Sequence, residues 1–179
     1  YCFCEGRTGN GIETINAYSS LFYIVPAICI LTTTKFKPNL NTYWLSFILV
    51  CLAFGSFSFH YYMHILGSHC DNFSILLILI SFICYKKSLL YTSLLYLLAL
   101  FVLFYLKDLN IVLTILVIGY FVYYFYTLAK THNKFDKLFY QINILFLLAV
   151  GVWLHDFNFD YICLHWLWHL ITAIIFYLL

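Results

Sequence analysis

The chain has 179 residues, of which 65% are hydrophobic and only 9% charged, and its mean hydropathy is +0.95. A soluble domain carries about 25% charged residues, so the polar residues here are too few to cover so large an apolar core. Composition therefore excludes an ordinary soluble domain and predicts an integral membrane protein. The net charge is only +2, and nucleic acid is not an expected partner.

Long uncharged runs recur along the chain, separated by short polar connections. They cover residues 15–34, 42–63, 72–85, 88–106, 110–129, 138–154 and 161–179. About 20 apolar residues of helix cross a bilayer core, and the runs lack the alternation typical of transmembrane strands. They predict an all-α fold, a bundle of seven transmembrane helices forming a single domain over residues 1–179. The third helix is short unless it begins near Ser68, which would bring Asp71 into or beside the membrane.

Basic residues are distributed unevenly between the connections. One alternate set of connections holds seven of them, Lys35, Lys37, Lys86, Lys87, Lys130, Lys134 and Lys137, and the other holds Arg7 and Lys107. Lysine and arginine accumulate on the cytoplasmic side of membrane proteins. This predicts an N-terminus outside or lumenal and a cytoplasmic C-terminus. The host would be the endoplasmic reticulum or Golgi membrane of a eukaryote, or the inner membrane of a bacterium.

Five polar side chains stand out within the apolar runs, where ionisable groups are costly and tend to line a site. Ser56 and His60 lie four residues apart, as do His165 and His169, so each pair shares one helix face. Asp71 begins the third run. The alternating topology brings these segments to the outer end of the bundle, where the five side chains are predicted to meet at one depth.

The chemistry of this set predicts a metal site. Three neutral imidazoles bind zinc and leave one coordination position for water, as in catalytic sites. His60, His165 and His169 are the predicted ligands. Zinc lowers the pKa of its water towards about 7, and Asp71 is the candidate general base beside that water. Ser56 is the candidate donor to a developing oxyanion.

Simpler interpretations apply to the other histidines and to the tryptophans. A single intramembrane histidine commonly forms a helix–helix hydrogen bond, and this alternative stays open for each imidazole taken alone. His64, His69 and His132 are expected to be solvated, and His155 faces either the cavity or the lipid headgroups. The tryptophans are expected to be interfacial anchors: Trp44, Trp153, Trp166 and Trp168.

The motifs resemble those of the alkaline ceramidase family, in the CREST superfamily that includes progestin and adipoQ receptors and Per1-like lipid-remodelling proteins. They are S-x3-H at Ser56–His60, the aspartate at Asp71 and H-x3-H at His165–His169. The N-terminal "CEGRTGNGIETINAYSS" is similar to the family's Cys-Glu followed by I-x-E-x-x-N-x-x-S. These are Cys4, Glu5, Glu13, Asn16 and Ser19. Near the C-terminus, "VWLHD" resembles the family's W-x-x-D, here Trp153 and Asp156, and "LHWLWHLITAI" resembles its seventh span.

The resemblance implies a zinc-dependent hydrolase that cleaves the amide of a membrane lipid, ceramide, into a sphingoid base and a fatty acid. By it, His60, His165 and His169 would bind zinc, Asp71 would engage the zinc water and Ser56 would assist at the amide. Two alternatives remain. One is a receptor-like or scaffold protein with structural zinc, and the other is a hydrolase of a different acyl lipid.

The resemblance also extends to the family's calcium site and to its disulfide. Glu5 and Glu13 match the family's calcium ligands, but Cys2 replaces an expected acid and Arg7 an expected asparagine. Calcium prefers six to eight oxygen ligands, so the arginine argues against calcium. Without calcium, Glu5 and Glu13 would pair with Arg7 and cap the first helix.

The seven cysteines divide between the outer side and the spans. Cys2, Cys4, Cys70 and Cys163 map to the outer side, where an oxidising compartment permits disulfides. The resemblance makes Cys4 and Cys163 the candidate pair. Cys29, Cys51 and Cys84 are expected to be apolar filler within the spans.

Overall fold

The chain is all-helical throughout the part that a computed structural model describes, which comprises residues 13–32, 40–83, 89–105, 119, 123, 126, 136–158 and 163–178. In chain order the helices are α1 (Thr14–Ser20), α2 (Ile24–Thr32), α3 (Leu40–Tyr62), α4 (Ile65–Ile83), α5 (Leu89–Tyr105), α6 (Asp136–Asn158) and α7 (His165–Leu178). A 3-10 turn, Leu21–Tyr23, joins α1 to α2. These helices confirm the predicted all-α class, while most of the predicted fifth run lies outside the described residues.

Within the described ranges, two helical segments are long and apolar enough to cross a membrane, Thr14–Thr32 and Thr42–Tyr62. The apolar stretches of the other helices in this part are shorter, at 10–17 residues. Many large apolar side chains nevertheless point outwards, and Leu97 and Leu147 are 62% and 70% exposed. Extensive exposed apolar surface is typical of a membrane or protein interface. The seven-span topology and its orientation stay predictions.

Helix α3 lies at the centre of the main apolar core and packs against α1, α2 and α4. On one face it buries Ile48, Leu49 and Leu52. The same core continues into the other helices through Tyr23, Ala27, Leu77, Ile78, Ala173 and Phe176. A second apolar cluster joins α6 to α7 through Ile142, Ala149, Ile171 and Ile175. Helices α3 and α7 both contribute side chains to the main core. The polar end of α3 and the polar start of α7 are therefore held in the same part of the molecule.

Helices α3 and α4 pack with their backbones in direct contact, and two glycines permit it. A Cβ added at Gly67 would lie 2.6 Å from the backbone nitrogen of Phe59. One added at Gly55 would lie 3.0 Å from the Cβ of Cys70 and 3.1 Å from the nitrogen of Asp71. Small residues allow such close approach between membrane helices. The glycines thereby bring Asp71 against the end of α3.

The sequence left two starts for the third predicted helix, and the structure has the longer one, so Asp71 is not its first residue. Helix α4 begins at Ile65, after a reversal in which Met63 has a positive φ of 51°. Asp71 therefore lies more than a turn inside the helix instead of at its start. The hydrophobic run was a poor guide to this boundary because the first turns of α4 contain small and polar residues that pack on α3.

Candidate metal centre

Three buried histidines from two distant helices lie together. His60 is near the end of α3, His165 begins α7, and His169 follows one turn later. Their side chains are at most 3% exposed, and their ring centroids are 4.8–5.1 Å apart. One ligating nitrogen from each lies within 4.8 Å of the other two. Tetrahedral zinc holds ligand nitrogens about 3.3 Å apart, so small ring movements would let the three share one ion.

The orientation of His60 is set by a carboxylate from the N-terminal side of α1. Glu13 is fully buried, and its Oε2 lies 2.5 Å from Nδ1 of His60. A carboxylate accepts hydrogen bonds, so Nδ1 of His60 carries the proton and Nε2 keeps its lone pair for a metal. Asn16 donates from Nδ2 to the same Oε2, at 3.2 Å. This network assigns the tautomer of His60.

The orientation of His169 follows from similar reasoning. The hydroxyl of Ser19 donates to the backbone carbonyl of Asn16, at 2.9 Å. Its oxygen therefore accepts from Nδ1 of His169, at 2.8 Å. This leaves the lone pair of His169 on Nε2, the nitrogen that a metal would use. Outer hydrogen bonds of this kind fix the rings of metal-binding histidines.

A buried aspartate holds the start of α7 and so places His165. Oδ1 of Asp156, on α6, accepts from the backbone N–H of Leu164 at 2.6 Å and of His165 at 3.2 Å. The first N–H groups of a helix lack partners within the helix, and a carboxylate there satisfies them. Asp156 thus joins α6 to α7 at the residue that carries the first histidine.

The two predicted catalytic side chains lie beside the histidines. Ser56 is fully buried, and its Oγ is 3.4 Å from Nε2 of His169 and accepts from Ser20 Oγ at 2.9 Å. Asp71 is partly buried, and its carboxyl interacts electrostatically with Ser56 and His60. The structure therefore brings together all five residues of the predicted site. Their catalytic roles stay predictions.

The side chain of Glu13 does not cap α1 as one alternative predicted. Glu13 occupies the N-cap position, but its side chain makes no capping hydrogen bond and points to His60 instead. That part of the prediction was wrong because a buried imidazole competes successfully for the carboxylate. Glu5 and Arg7 lie outside the described residues, so calcium binding by Glu5 and Glu13 stays a prediction.

The described cysteines are either disulfide-bonded or free. Cys163 is disulfide-bonded, while Cys4 lies outside the described residues and its pairing with Cys163 stays a prediction. Cys70 is a free, exposed thiol.

His64 is exposed, as predicted, and its Nδ1 accepts from the N–H of Leu66 at the start of α4. His69 and His155 are partly buried, and His132 lies outside the described residues.

Sequence reasoning assigned Glu13 to calcium or to a helix cap, and it did not place the polar face of the first helix at the metal centre. Glu13, Asn16, Ser20 and Tyr23 recur every three or four residues, the spacing of one helix face. All four are buried against the site. The tyrosine hydroxyl lies 2.7 Å from Oγ1 of Thr172, and its ring packs edge-on against His169. That polar periodicity within an apolar run was the signal for this face.

No protein-family model matches the chain, and no curated protein sequence matches it significantly.

Proposed function

We propose that the chain is a multi-pass membrane hydrolase that uses zinc to cleave the amide bond of a lipid, with ceramide as the substrate. The observation that carries the proposal is the buried group of His60, His165 and His169 with Ser56 and Asp71 beside it. The motif resemblance to alkaline ceramidases supports the lipid amide as substrate.

The donor set fits a catalytic zinc ion. Imidazole nitrogens suit zinc, and three protein ligands leave the fourth position open, whereas structural zinc sites are closed by four protein ligands. In the described part of the chain, this group has three members. Two of its rings already present Nε2 lone pairs, because Glu13 and Ser19 engage their Nδ1 atoms.

The chemistry divides between the metal and three side chains. Bound zinc would polarise the amide carbonyl and lower the pKa of water at the open position. Asp71 accepts the proton of the attacking water and delivers it to the leaving amine as the C–N bond breaks. Ser56 donates its O–H to the carbonyl oxygen as negative charge develops there. Ser20, 2.9 Å from Ser56, holds that hydroxyl in place.

An apolar cavity next to the site supports a lipid substrate. Leu79, Phe146, Trp168 and Ile175 line it, together with Tyr23, whose ring also contacts His169. An acyl chain that lies along this apolar lining would have its carbonyl end towards the histidines. The exposed apolar side chains around the bundle are consistent with substrate entry from the membrane.

The test measures zinc content and fatty acid release from ceramide by purified protein in detergent. We expect His169→Ala to lose both, because two imidazoles hold zinc poorly. Asp71→Asn should keep zinc and lose activity by about 10²–10⁴-fold, the usual contribution of a general base. His64→Ala, which removes an exposed imidazole that is not a member of the group, should keep both.

The outcomes separate the alternatives. Unchanged zinc content in His169→Ala would overturn the metal site. Bound zinc without hydrolysis of ceramide, other N-acyl lipids or ester lipids would support the structural-zinc alternative. Cleavage of ester lipids without cleavage of ceramide would assign a different acyl lipid as substrate.

A further inference from the structure

We propose that Glu13 is a positioning residue for the metal centre, whose buried carboxylate orients His60 and so makes metal affinity depend on the first helix. The proposal rests on the zinc site of the proposed function. It assigns Glu13 to the zinc site instead of to calcium.

Glu13 holds His60 at two points. Its backbone N–H donates to the carbonyl oxygen of His60 at 3.0 Å, and its Oε2 accepts from Nδ1 of the same residue. The first bond fixes the main chain before α1 against the end of α3. The second then fixes the rotation of the imidazole about its Cβ–Cγ bond. Together they determine the direction of the Nε2 lone pair.

The carboxylate of Glu13 is itself held by Asn16. The amide of Asn16 donates to Oε2 of Glu13, and its backbone carbonyl accepts from Ser19, the partner of His169. The segment from Glu13 to Ser19 therefore supports two of the three proposed ligands. All of these residues are buried, so water does not replace a lost bond readily.

The charge of Glu13 adds to its geometric effect. A carboxylate that accepts from Nδ1 makes the opposite nitrogen a stronger ligand, and loss of such a partner typically weakens metal binding about 10–100-fold. Glu13→Ala removes both the acceptor and the charge. Glu13→Gln keeps an acceptor oxygen and loses the charge, so it should restore part of the affinity.

Ser46→Ala is a matched control. Ser46 is buried on α3 and donates to the backbone carbonyl of Ala27 on α2, at 2.9 Å. Like Glu13, it bonds α3 to the N-terminal part of the chain. It precedes His60 by 14 residues, or about 21 Å along the helix. Its loss should lower stability without changing the metal centre.

The experiment measures the zinc affinity of the full purified chain by competition with a chromophoric chelator. We expect Glu13→Ala to bind about 10–100-fold more weakly, Glu13→Gln to fall between it and the wild type, and Ser46→Ala to match the wild type. The visible spectrum of bound cobalt(II) reports ligand geometry. It should change in Glu13→Ala and return towards the wild type in Glu13→Gln.

Four results would count against the inference. Wild-type zinc affinity and cobalt spectrum in Glu13→Ala would refute it and leave the proposed function standing. Loss of calcium binding in Glu13→Ala with unchanged zinc affinity would assign the residue to calcium. A wild-type chain that binds no zinc would refute both proposals. If Glu13→Ala does not fold, wild-type zinc affinity in Glu13→Gln together with an unchanged cobalt spectrum counts against the inference.

Discussion

Both halves of α3 bury side chains, and those side chains are chemically opposite. In the first half, taken to end at Leu52, Ile48, Leu49 and Leu52 pack against apolar neighbours, and Ser46 bonds a backbone carbonyl. In the second half, Ser56 and His60 are fully buried, and their partners are polar side chains from other helices. One helix thus carries both an apolar core and a polar site.

The difference shows which contacts provide stability and which provide chemistry. A buried polar group costs several kcal/mol unless it is hydrogen-bonded, and an apolar one costs nothing comparable. The polar half must therefore match each of its groups with a partner, as Glu13 and Ser19 do for the imidazoles. We expect substitutions in the apolar half to change stability and those in the polar half to change metal binding.

Leu52→Ala should produce the largest change in stability. Leu52 is fully buried in the main core, and deletion of such a side chain leaves a cavity that costs about 2–5 kcal/mol. Its thermal unfolding temperature in detergent should fall clearly, whereas zinc affinity below that temperature should equal the wild type. Weakened zinc binding in this variant would contradict the separation of the two halves.

Gly67→Ala tests the packing that places the polar half. Its Cβ would meet the backbone of Phe59, so α3 and α4 must separate, at a cost of about 1–3 kcal/mol. Because Asp71 lies on α4, activity should fall more than zinc affinity does. Gly151→Ala is the control, since its Cβ meets nothing within 4 Å. Equal activities in the two variants would show that this helix contact does not position Asp71.

Ser19→Ala should have the smallest effect on stability and should selectively lower zinc affinity. It removes the acceptor for Nδ1 of His169, so zinc affinity should fall about tenfold, the low end for an outer partner. Thr32→Ala removes a comparable hydroxyl-to-carbonyl bond far from the site, to Ile28 at 3.0 Å. It should leave zinc affinity unchanged. An equal loss in both variants would argue against a specific role for Ser19.

Two features of the molecule could be predicted from residue order alone. Apolar runs such as 42–63 and 138–154 coincide with α3 and α6, because a helix satisfies all the backbone hydrogen bonds of a long apolar run within the run itself. His60, Asp71 and His169 were recognisable because ionisable residues are rare in such runs and therefore conspicuous. Their spacing placed them on shared faces before any contact was known.

The partners of those residues required the folded chain. Glu13 bonds His60 across 47 positions, and Asp156 supports the start of α7 from the preceding helix. Nothing in the local sequence distinguishes a carboxylate that caps its own helix from one that bonds an imidazole on another. Residue periodicity depends only on neighbours along one helix, and it was enough to predict the helices and the polar positions on their faces. The direction of each hydrogen bond depends on distances between helices, which close packing at positions such as Gly67 decides.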